Sequence, residues 1–567
     1  MFNFQILVIL IFAFSLFSFC SGDYPIFGVD EGRYAQASMN MLNSNNWLMP
    51  SVDGLPRLEK PIFFYWEQII SFITFGKTEF AARLPSILSA TGMVYLAYIL
   101  GAIQGTPIIA ALILMSSLAI NVFAKVAMTD MSLAFFISGS LSFFFLSYFH
   151  KIKANHIFNR QNINTRIYFY ICAGFLALGF LCKGPIAVAL PGLVITIFLL
   201  KEKELLSFFV NKKFDTLACF ILFLLIVCPW YILIHLETNG EFTQSFFMRD
   251  NVGRFLSPLN SHSEPIWFYI PVILAATFPW AFFIPQAIFS DNANTKMSRV
   301  NITDHTNSLR SFALIWAFSF FIFFSLAQTK LITYIIPIIL PLILLIAKYC
   351  SLKFNQESRQ NDSNKDPSLY VSFILILISL PSIAVFVLSN FTSELGKIPG
   401  LDISFFMILI CIFFSCALII AITSIKENTK LGFMILITAS ILTIGLSWRL
   451  IGVPVLSYMD NGIKNFCTQE YQTGTQVYSY RVQRASLGFY CETEVKRINA
   501  NKKLLKKAQV EEAYIFSKES KFQEFKSFIQ ESGLDFDSMF EIVTTNGNYV
   551  FFKSINIKPN LENTETE

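Results

Sequence analysis

The residues of this chain able to do chemistry are a few charged side chains placed at the ends of long apolar runs. Between the first and second runs lie Asp30-Glu31-Gly32-Arg33-Tyr34, Glu59-Lys60-Pro61 and Arg83-Leu84-Pro85. Further on come Asp130 in Met128-Thr129-Asp130-Met131, Lys183 in Cys182-Lys183-Gly184-Pro185, and the group Arg249, Asp250 and Arg254. Lys330 follows in Gln328-Thr329-Lys330-Leu331-Ile332-Thr333-Tyr334. Lys60, Lys183, Arg254 and Lys330 offer cationic donors suited to a phosphate, and an arginine can grip one with two parallel bonds. Tyr334 adds a hydroxyl. Asp30, Asp130 and Glu59 supply carboxylates for general-base work, for a metal, or for holding the bases. Tyr34, Trp47, Phe63, Phe64, Tyr65, Trp66, Trp267, Tyr269 and Trp280 crowd the same regions. Such aromatics either form an interfacial belt or stack on sugar faces. Each charge taken singly reads as a snorkelling or capping residue. Taken together on one membrane face, they suit a lipid-linked, phosphate-bearing sugar.

The elements that must position these residues are membrane spans. Of 567 residues, 54% are hydrophobic and only 14% charged, against roughly a quarter charged in soluble domains. A net charge of +5 gives no case for nucleic-acid binding. A span takes about 20 apolar residues. Apolar runs fall near 4–20, 84–103, 106–124, 131–149, 167–182, 185–200, 215–235, 266–289, 311–328, 331–348, 369–389, 403–425 and 431–449. The expected architecture is therefore an all-α polytopic membrane protein of about thirteen spans. The first run lacks a basic residue before it and reads as an uncleaved span rather than a signal peptide. With that parity, the basic loops 150–166, 201–213, 291–310, 349–368 and 426–430 share one side, which the positive-inside rule makes cytoplasmic. The opposite, periplasmic side receives the loop 21–83, the turns at 125–130, 183–184 and 329–330, the loops 236–265 and 390–402, and everything after 450. Asn43-Ser44-Asn45-Asn46 and Gly253 to Glu264 mark irregular structure there.

The expected domains are a membrane-embedded catalytic part, 1–450, carrying the first loop 21–83, and a soluble α/β domain, 451–567. Within the latter, Thr475–Arg481, Ser486–Cys491, Glu512–Ser517 and Glu541–Ser554 read as strands, with Asn546-Gly547 as a hairpin signal. Lys496–Ala508 and Lys518–Ser532 read as helices, and the tail 558–567 as disordered. Eight of the ten cysteines sit in or beside apolar runs and serve as small hydrophobes. Cys467 and Cys491 lie in the polar C-terminal region. There they either pair, as an oxidising side allows, or stay as two thiols, since sequence separation does not fix geometry.

At these residues the sequence resembles the GT-C-type membrane glycosyltransferases, most of all the bacterial aminoarabinose-to-lipid-A transferases, and more distantly the protein O-mannosyltransferases. The carriers are Asp30-Glu31-Gly32-Arg33-Tyr34, Glu59-Lys60-Pro61, Phe80 to Pro85, Asp130, Lys183-Gly184, Arg254-Phe255, Pro265 to Trp280 and Lys330 to Tyr334. Together they cover about residues 5–350, and the sequence departs at Gly32, where the aminoarabinose enzymes usually carry Thr. The resemblance implies an inverting transferase with an undecaprenyl (polyprenyl) phosphate–sugar donor and lipid A or a related glycolipid as acceptor. It implies a catalytic acid at Asp30 and a second acid at Asp130. Substrate binding would fall to Glu31, Arg33, Tyr34, Lys60, Arg83, Lys183, Arg254, Lys330 and Tyr334. A divalent metal near Glu59 is associated with such enzymes without being required, and no other cofactor is implied. The implied setting is the bacterial inner membrane with a periplasmic active site. Two other readings stand beside it: a protein O-glycosyltransferase, and a transporter or flippase for lipid-linked sugars. The last predicts internal repeats and charges near mid-bilayer. The sequence shows no repeat, and its charges collect at span ends.

Overall fold

The computed structural model describes residues 4–149, 166–253, 264–289, 300–357, 367–395, 402–546 and 549–555. Arg254, most of the loop 150–166 and the tail 558–567 lie outside them. The chain begins with α1 (Phe4–Ser18) and α2 (Gly28–Ser44), followed by the two-residue strands β1 (Ser51–Val52) and β2 (Leu55–Pro56). Next come α3 (Phe63–Phe75), α4 (Glu79–Ile103), α5 (Pro107–Met115), α6 (Leu118–Ala124) and α7 (Thr129–Phe149). The helices α8 (Arg166–Lys183), α9 (Ile186–Lys201), α10 (Leu205–Asn211), α11 (Lys213–Glu237) and α12 (Glu241–Gln244) follow. After them run α13 (Tyr269–Ala276), α14 (Ile284–Phe289), α15 (Val300–Leu326), α16 (Ile339–Glu357), α17 (Pro367–Leu395), α18 (Ile403–Ile425), α19 (Thr429–Ser447) and α20 (Val453–Asn465). The C-terminal region adds β3 (Gln476–Tyr480), α21 (Ala485–Cys491), β4 (Val495–Ile498), α22 (Asn501–Val510), β5 (Ala513–Lys518), α23 (Glu519–Glu531), β6 (Phe540–Asn546) and β7 (Tyr549–Ser554).

Every apolar run of the sequence falls on a helix or a bent pair of helices. Among the described residues, eight helices are long and apolar enough to cross a membrane, or up to ten if each bent pair counts as one span. Three more apolar helices, Phe4–Ser18, Ile186–Lys201 and Ser368–Ser382, are shorter. The protein is thus a multi-pass membrane protein. Two runs expected as simple spans are broken: α5 and α6 meet at a 63° bend, and α13 and the segment Trp280–Phe289 at 108°. Backbone freed at such breaks needs partners, because lipid supplies none. Here each break serves the other. Leu118 N–H donates to the Phe278 carbonyl at 3.2 Å, and the Trp280 indole donates to Ser116 Oγ at 2.9 Å.

The chain divides into two compact units: Met1–Phe19, Leu58–Phe64 and Arg83–Ile451; and Cys20–Arg57, Tyr65–Ala82 and Gly452–Glu567. In the first unit α7 is the innermost span, 89% buried along its apolar window, whereas α11 is 22% buried. The sequence of α7 explains this. Two of its buried serines satisfy their hydroxyls on the helix's own carbonyls, Ser142 on Ser138 and Ser140 on Ile137, so these two carry no demand for water. Gly139 leaves the space that the Phe175 ring fills: a Cβ there would come within 2.0 Å of it. Phe135, Phe136, Phe143 and Phe175 then pack as a mutual aromatic cluster.

The second unit holds a five-stranded sheet in the order β4-β3-β5-β7-β6, with β4, β3 and β5 parallel and β7 and β6 antiparallel. One face is covered by α22 and α23 through Leu504, Ala508, Phe522, Phe525 and Ile529. The other carries Ile463, Phe466 and Leu487. The hairpin signalled by Asn546-Gly547 is present as the β6–β7 pair. Two expectations are corrected. Ser486–Cys491, read as a strand, is the helix α21, because it packs along α2 and tertiary contact overrides the β propensity of Phe489 and Tyr490. Lys496–Ala508, read as one helix, begins instead as the edge strand β4, and its helix starts at Asn501. The first loop is also more regular than a polar linker. Asn45 caps α2 in the left-handed conformation, its N–H returning to the Leu42 carbonyl and the Asn46 N–H to the Met41 carbonyl, so the expected irregularity is a helix stop. Cys467 and Cys491, 24 residues apart, form a disulfide.

Candidate functional site

Asp130 and Lys183 are brought together by helix direction. Asp130 lies in the first turn of α7 and Lys183 in the last turn of α8, and the two helices pack against each other. An acid at a helix N-terminus and a base at a C-terminus each face the favourable end of their own helix dipole. The Lys183 ammonium donates to Asp130 Oδ1 at 2.6 Å, and both side chains are nearly buried, 13% and 7% exposed. The chain then leaves α8 through Gly184 at φ +86°, its N–H bonded to the Phe180 carbonyl at 2.8 Å. A side chain here would be strained in this conformation, and its Cβ would come 2.4 Å from the Phe246 ring. That close approach is the reason Lys183 is followed by glycine.

A half-open cavity of about 830 Å³, mouth included, surrounds the pair. Lys60, Asp130, Lys183, Thr329, Thr333 and Tyr334 form its polar lining. Leu133, Ile137, Ile186, Phe246, Phe323, Phe324, Ala327 and Pro337 form its apolar wall. Thr333 hydrogen-bonds Asp130, and Lys60 lies within its electrostatic reach. The Lys183 ammonium stands 4.9 Å from the centre of the Tyr334 ring, within cation–π range. Two lysines and one carboxylate leave the lining one net positive charge. Phe323 also belongs to a second, almost wholly apolar groove formed by Leu193, Ile197, Leu314, Ile315, Phe318, Ser319, Ile322 and Leu326, between α9 and α15. A charged chamber therefore adjoins an oily one.

The other expected residues are distributed as follows. Lys330 is buried, and its ammonium donates to the Ala327 carbonyl at 2.7 Å; it is not among the residues lining the cavity. Arg83 is fully buried in α4. Glu59 is half-buried. Among the described residues no group of three or more His, Cys, Asp or Glu is placed to hold a metal ion. Arg254 lies outside the described residues.

Asp30, Glu31, Arg33 and Tyr34 belong to the second unit, on α2. Asp30 is the exposed member, its carboxyl 59% accessible and 3.8 Å from Arg33. Glu31 is buried and accepts from the Phe27 N–H at 3.0 Å, a return bond in the manner of a capping box. Tyr34 is buried beneath the Arg57 guanidinium, 4.2 Å from its ring centre, and beside Tyr65. Glu31 and Tyr34, expected as substrate ligands, thus have structural partners of their own. Sequence reasoning passed over Phe246 and Phe323, and met Thr329 only as a letter of the Gln328–Tyr334 motif. Thr333 was visible only as a letter within the Lys330–Tyr334 motif, with nothing to show that it bonds Asp130.

The chain is similar to known proteins in sequence and in fold. The sequence model of the dolichyl-phosphate-mannose-protein mannosyltransferase family matches residues 1–240. The undecaprenyl phosphate-alpha-4-amino-4-deoxy-L-arabinose arabinosyl transferase of Shewanella sediminis is 27% identical over 399 residues, covering 69% of this chain and 66% of that protein. The enzyme of the same name from Aeromonas salmonicida is 28% identical over 431 residues, covering 75% and 73%. The crystal structure of ArnT from Cupriavidus metallidurans bound to undecaprenyl phosphate superposes with a TM-score of 0.75 over 98% of this chain and 99% of that one, at 18% identity.

Proposed function

We propose that this chain, a GT-C-type membrane glycosyltransferase resembling the aminoarabinose transferases, moves a sugar from an undecaprenyl phosphate carrier to lipid A or a related envelope glycolipid. The observation that carries the reading is the adjoining of two chambers: the cavity of Lys60, Asp130, Lys183 and Tyr334, and the apolar groove that shares Phe323 with it. A polyprenyl phosphate–sugar has the same two halves, an anionic head and a long hydrocarbon tail. The reaction belongs on the periplasmic face, a side argued from the basic loops of the opposite side.

The new bond forms between an acceptor oxygen and the anomeric carbon. The bond from that carbon to the carrier phosphate breaks, and its electron pair leaves with polyprenyl phosphate. Attack from the face opposite the leaving group inverts the anomeric centre. The carrier phosphate goes from one negative charge to two as it departs, so fixed cations stabilise the transition state more than the bound donor. Lys60 supplies such a charge from the lining. Lys183 is already paired with Asp130, which holds its ammonium in place. Tyr334 adds a hydroxyl donor, and Arg254 adds a cation on the strength of its motif. Asp30 is the proposed catalytic acid, on the strength of the Asp30 to Tyr34 motif and of its accessibility. Toward a lipid A phosphate, already ionised, its carboxylate orients the nucleophile and offsets positive charge growing on the sugar. Toward a hydroxyl it removes the proton, a contribution of about 10²–10⁴-fold.

The deciding experiment is mass spectrometry of lipid A from cells with and without the gene. A sugar-sized mass addition that depends on the chain is expected. Unchanged lipid A alongside newly glycosylated envelope protein would move the acceptor to the protein class that the mannosyltransferase match points to.

A further inference from the structure

The first turn of α2, which carries Asp30, is held by side chains more than 400 residues away in sequence. We propose that Asp460 and Tyr490 are positioning residues for Asp30, and that this is one task of the C-terminal segment; the inference rests on Asp30 being the catalytic acid. Three consecutive amides enter α2. Ile26 N–H donates to the Tyr490 hydroxyl at 2.7 Å, Phe27 N–H to Glu31 Oε2 at 3.0 Å, and Gly28 N–H to Asp460 Oδ2 at 3.1 Å. A helix start leaves such donors without intrahelical partners, and here two of the three are bound by the C-terminal segment. Gly28 adopts φ +68°, so the chain turns into the helix at the residue Asp460 grips.

Both clamps are themselves fixed. The Tyr490 hydroxyl donates to Glu79 Oε1 at 2.9 Å, and Glu79 is held by Lys464 at 2.6 Å. Asp460 is 1% exposed and stands 3.8 Å from the Arg484 guanidinium, which also donates to the Tyr549 hydroxyl at 2.8 Å. Tyr490 sits in α21, whose last residue is tied by the Cys467–Cys491 disulfide. Along the rest of the contact, α2 and α21 approach at backbone distance. A Cβ on Gly32 would lie 2.7 Å from Ser486 N, and one on Gly488 would lie 2.0 Å from Gln36 Nε2. Asp30 itself is left accessible while the backbone on either side of it is fixed. Such fixation matters because an error of about 1 Å in a catalytic group can cost about 10²-fold in rate.

The test uses the full-length protein in proteoliposomes, with undecaprenyl phosphate-4-amino-4-deoxy-L-arabinose as donor and lipid A as acceptor. Tyr490→Phe deletes one oxygen, and Asp460→Ala deletes the acceptor of the Gly28 amide. Each is expected to lower kcat about 10–100-fold with KM for the donor within about twofold. Asp460→Asn, which keeps an acceptor oxygen, should recover most of the rate. In an Asp30→Asn background, Tyr490→Phe should lower the residual rate no further, because its effect runs through Asp30. Unchanged kcat in Tyr490→Phe and Asp460→Ala, with Asp30→Asn reduced to its residual rate, overturns the positioning role alone. So does an equal loss from Tyr490→Phe in both backgrounds. Full activity of Asp30→Asn overturns the catalytic assignment and the positioning role with it. A variant that loses its thermal transition counts against positioning if the folded remainder turns over at the normal rate.

Discussion

Lys183 and Asp130 show how a buried ion pair constrains single substitutions. Each charge is nearly out of water and is compensated by the other. Asp130→Asn alone leaves the ammonium without its counter-charge, and Lys183→Gln alone does the reverse. Breaking such a pair from one side typically costs about 3–5 kcal/mol. The double variant Asp130→Asn/Lys183→Gln is expected to recover most of that loss in a detergent melting experiment while transfer stays abolished. A double variant as unstable as the sum of the singles would mean that the pair is not the stabilising unit. The same scale explains why Lys330 differs from Lys60 and Lys183. All three are lysines next to apolar runs, but the Lys330 ammonium is used on the Ala327 carbonyl, a fact of loop geometry that no residue type announces.

At the scale of elements, the α2–α21 contact is the sharpest departure from a chain-order reading. Gly32 admits the α21 backbone to 2.7 Å of its missing Cβ. Neither backbone can yield as a flexible side chain would, so Gly32→Ala is expected to destabilise by about 1–3 kcal/mol. Gly32→Thr should cost more, since it adds a branched group to the same space. Both are read as a lower melting temperature of the purified chain; a Thr variant as stable as the parent would show that the contact relaxes freely. Docking against α2 also accounts for the mistaken strand. Ser486–Cys491 has aromatic residues suited to a sheet, yet α21 presents Ala485, Ser486 and Gly488 to α2 at distances only small residues permit. A hydrophobic period does not report which helix waits on the other side.

For the whole molecule, the disulfide is the one covalent link beyond the backbone among the described residues. It closes a 24-residue separation, so losing it should release about 3 kcal/mol of chain entropy in the unfolded state. Cys467→Ser is therefore expected to lower the melting temperature of the full-length protein, and added reductant should do the same to the parent but not to the variant. Identical melting of both proteins would show the bridge to be absent in solution. By itself the sequence determined the membrane class and the placement of the apolar runs. These follow from local composition, because a stretch of about 20 apolar residues has nowhere else to go. Tertiary structure alone decided which charges share a chamber and which are used elsewhere. It selected Lys60, Asp130, Lys183 and Tyr334 for one cavity and set Lys330 on a carbonyl. It also joined α2, through Gly28 and Ile26, to Asp460 and Tyr490. The physical reason is distance along the chain: these contacts are set by helix direction and by small-residue packing between segments up to 464 positions apart, and a local pattern carries no record of its distant partner.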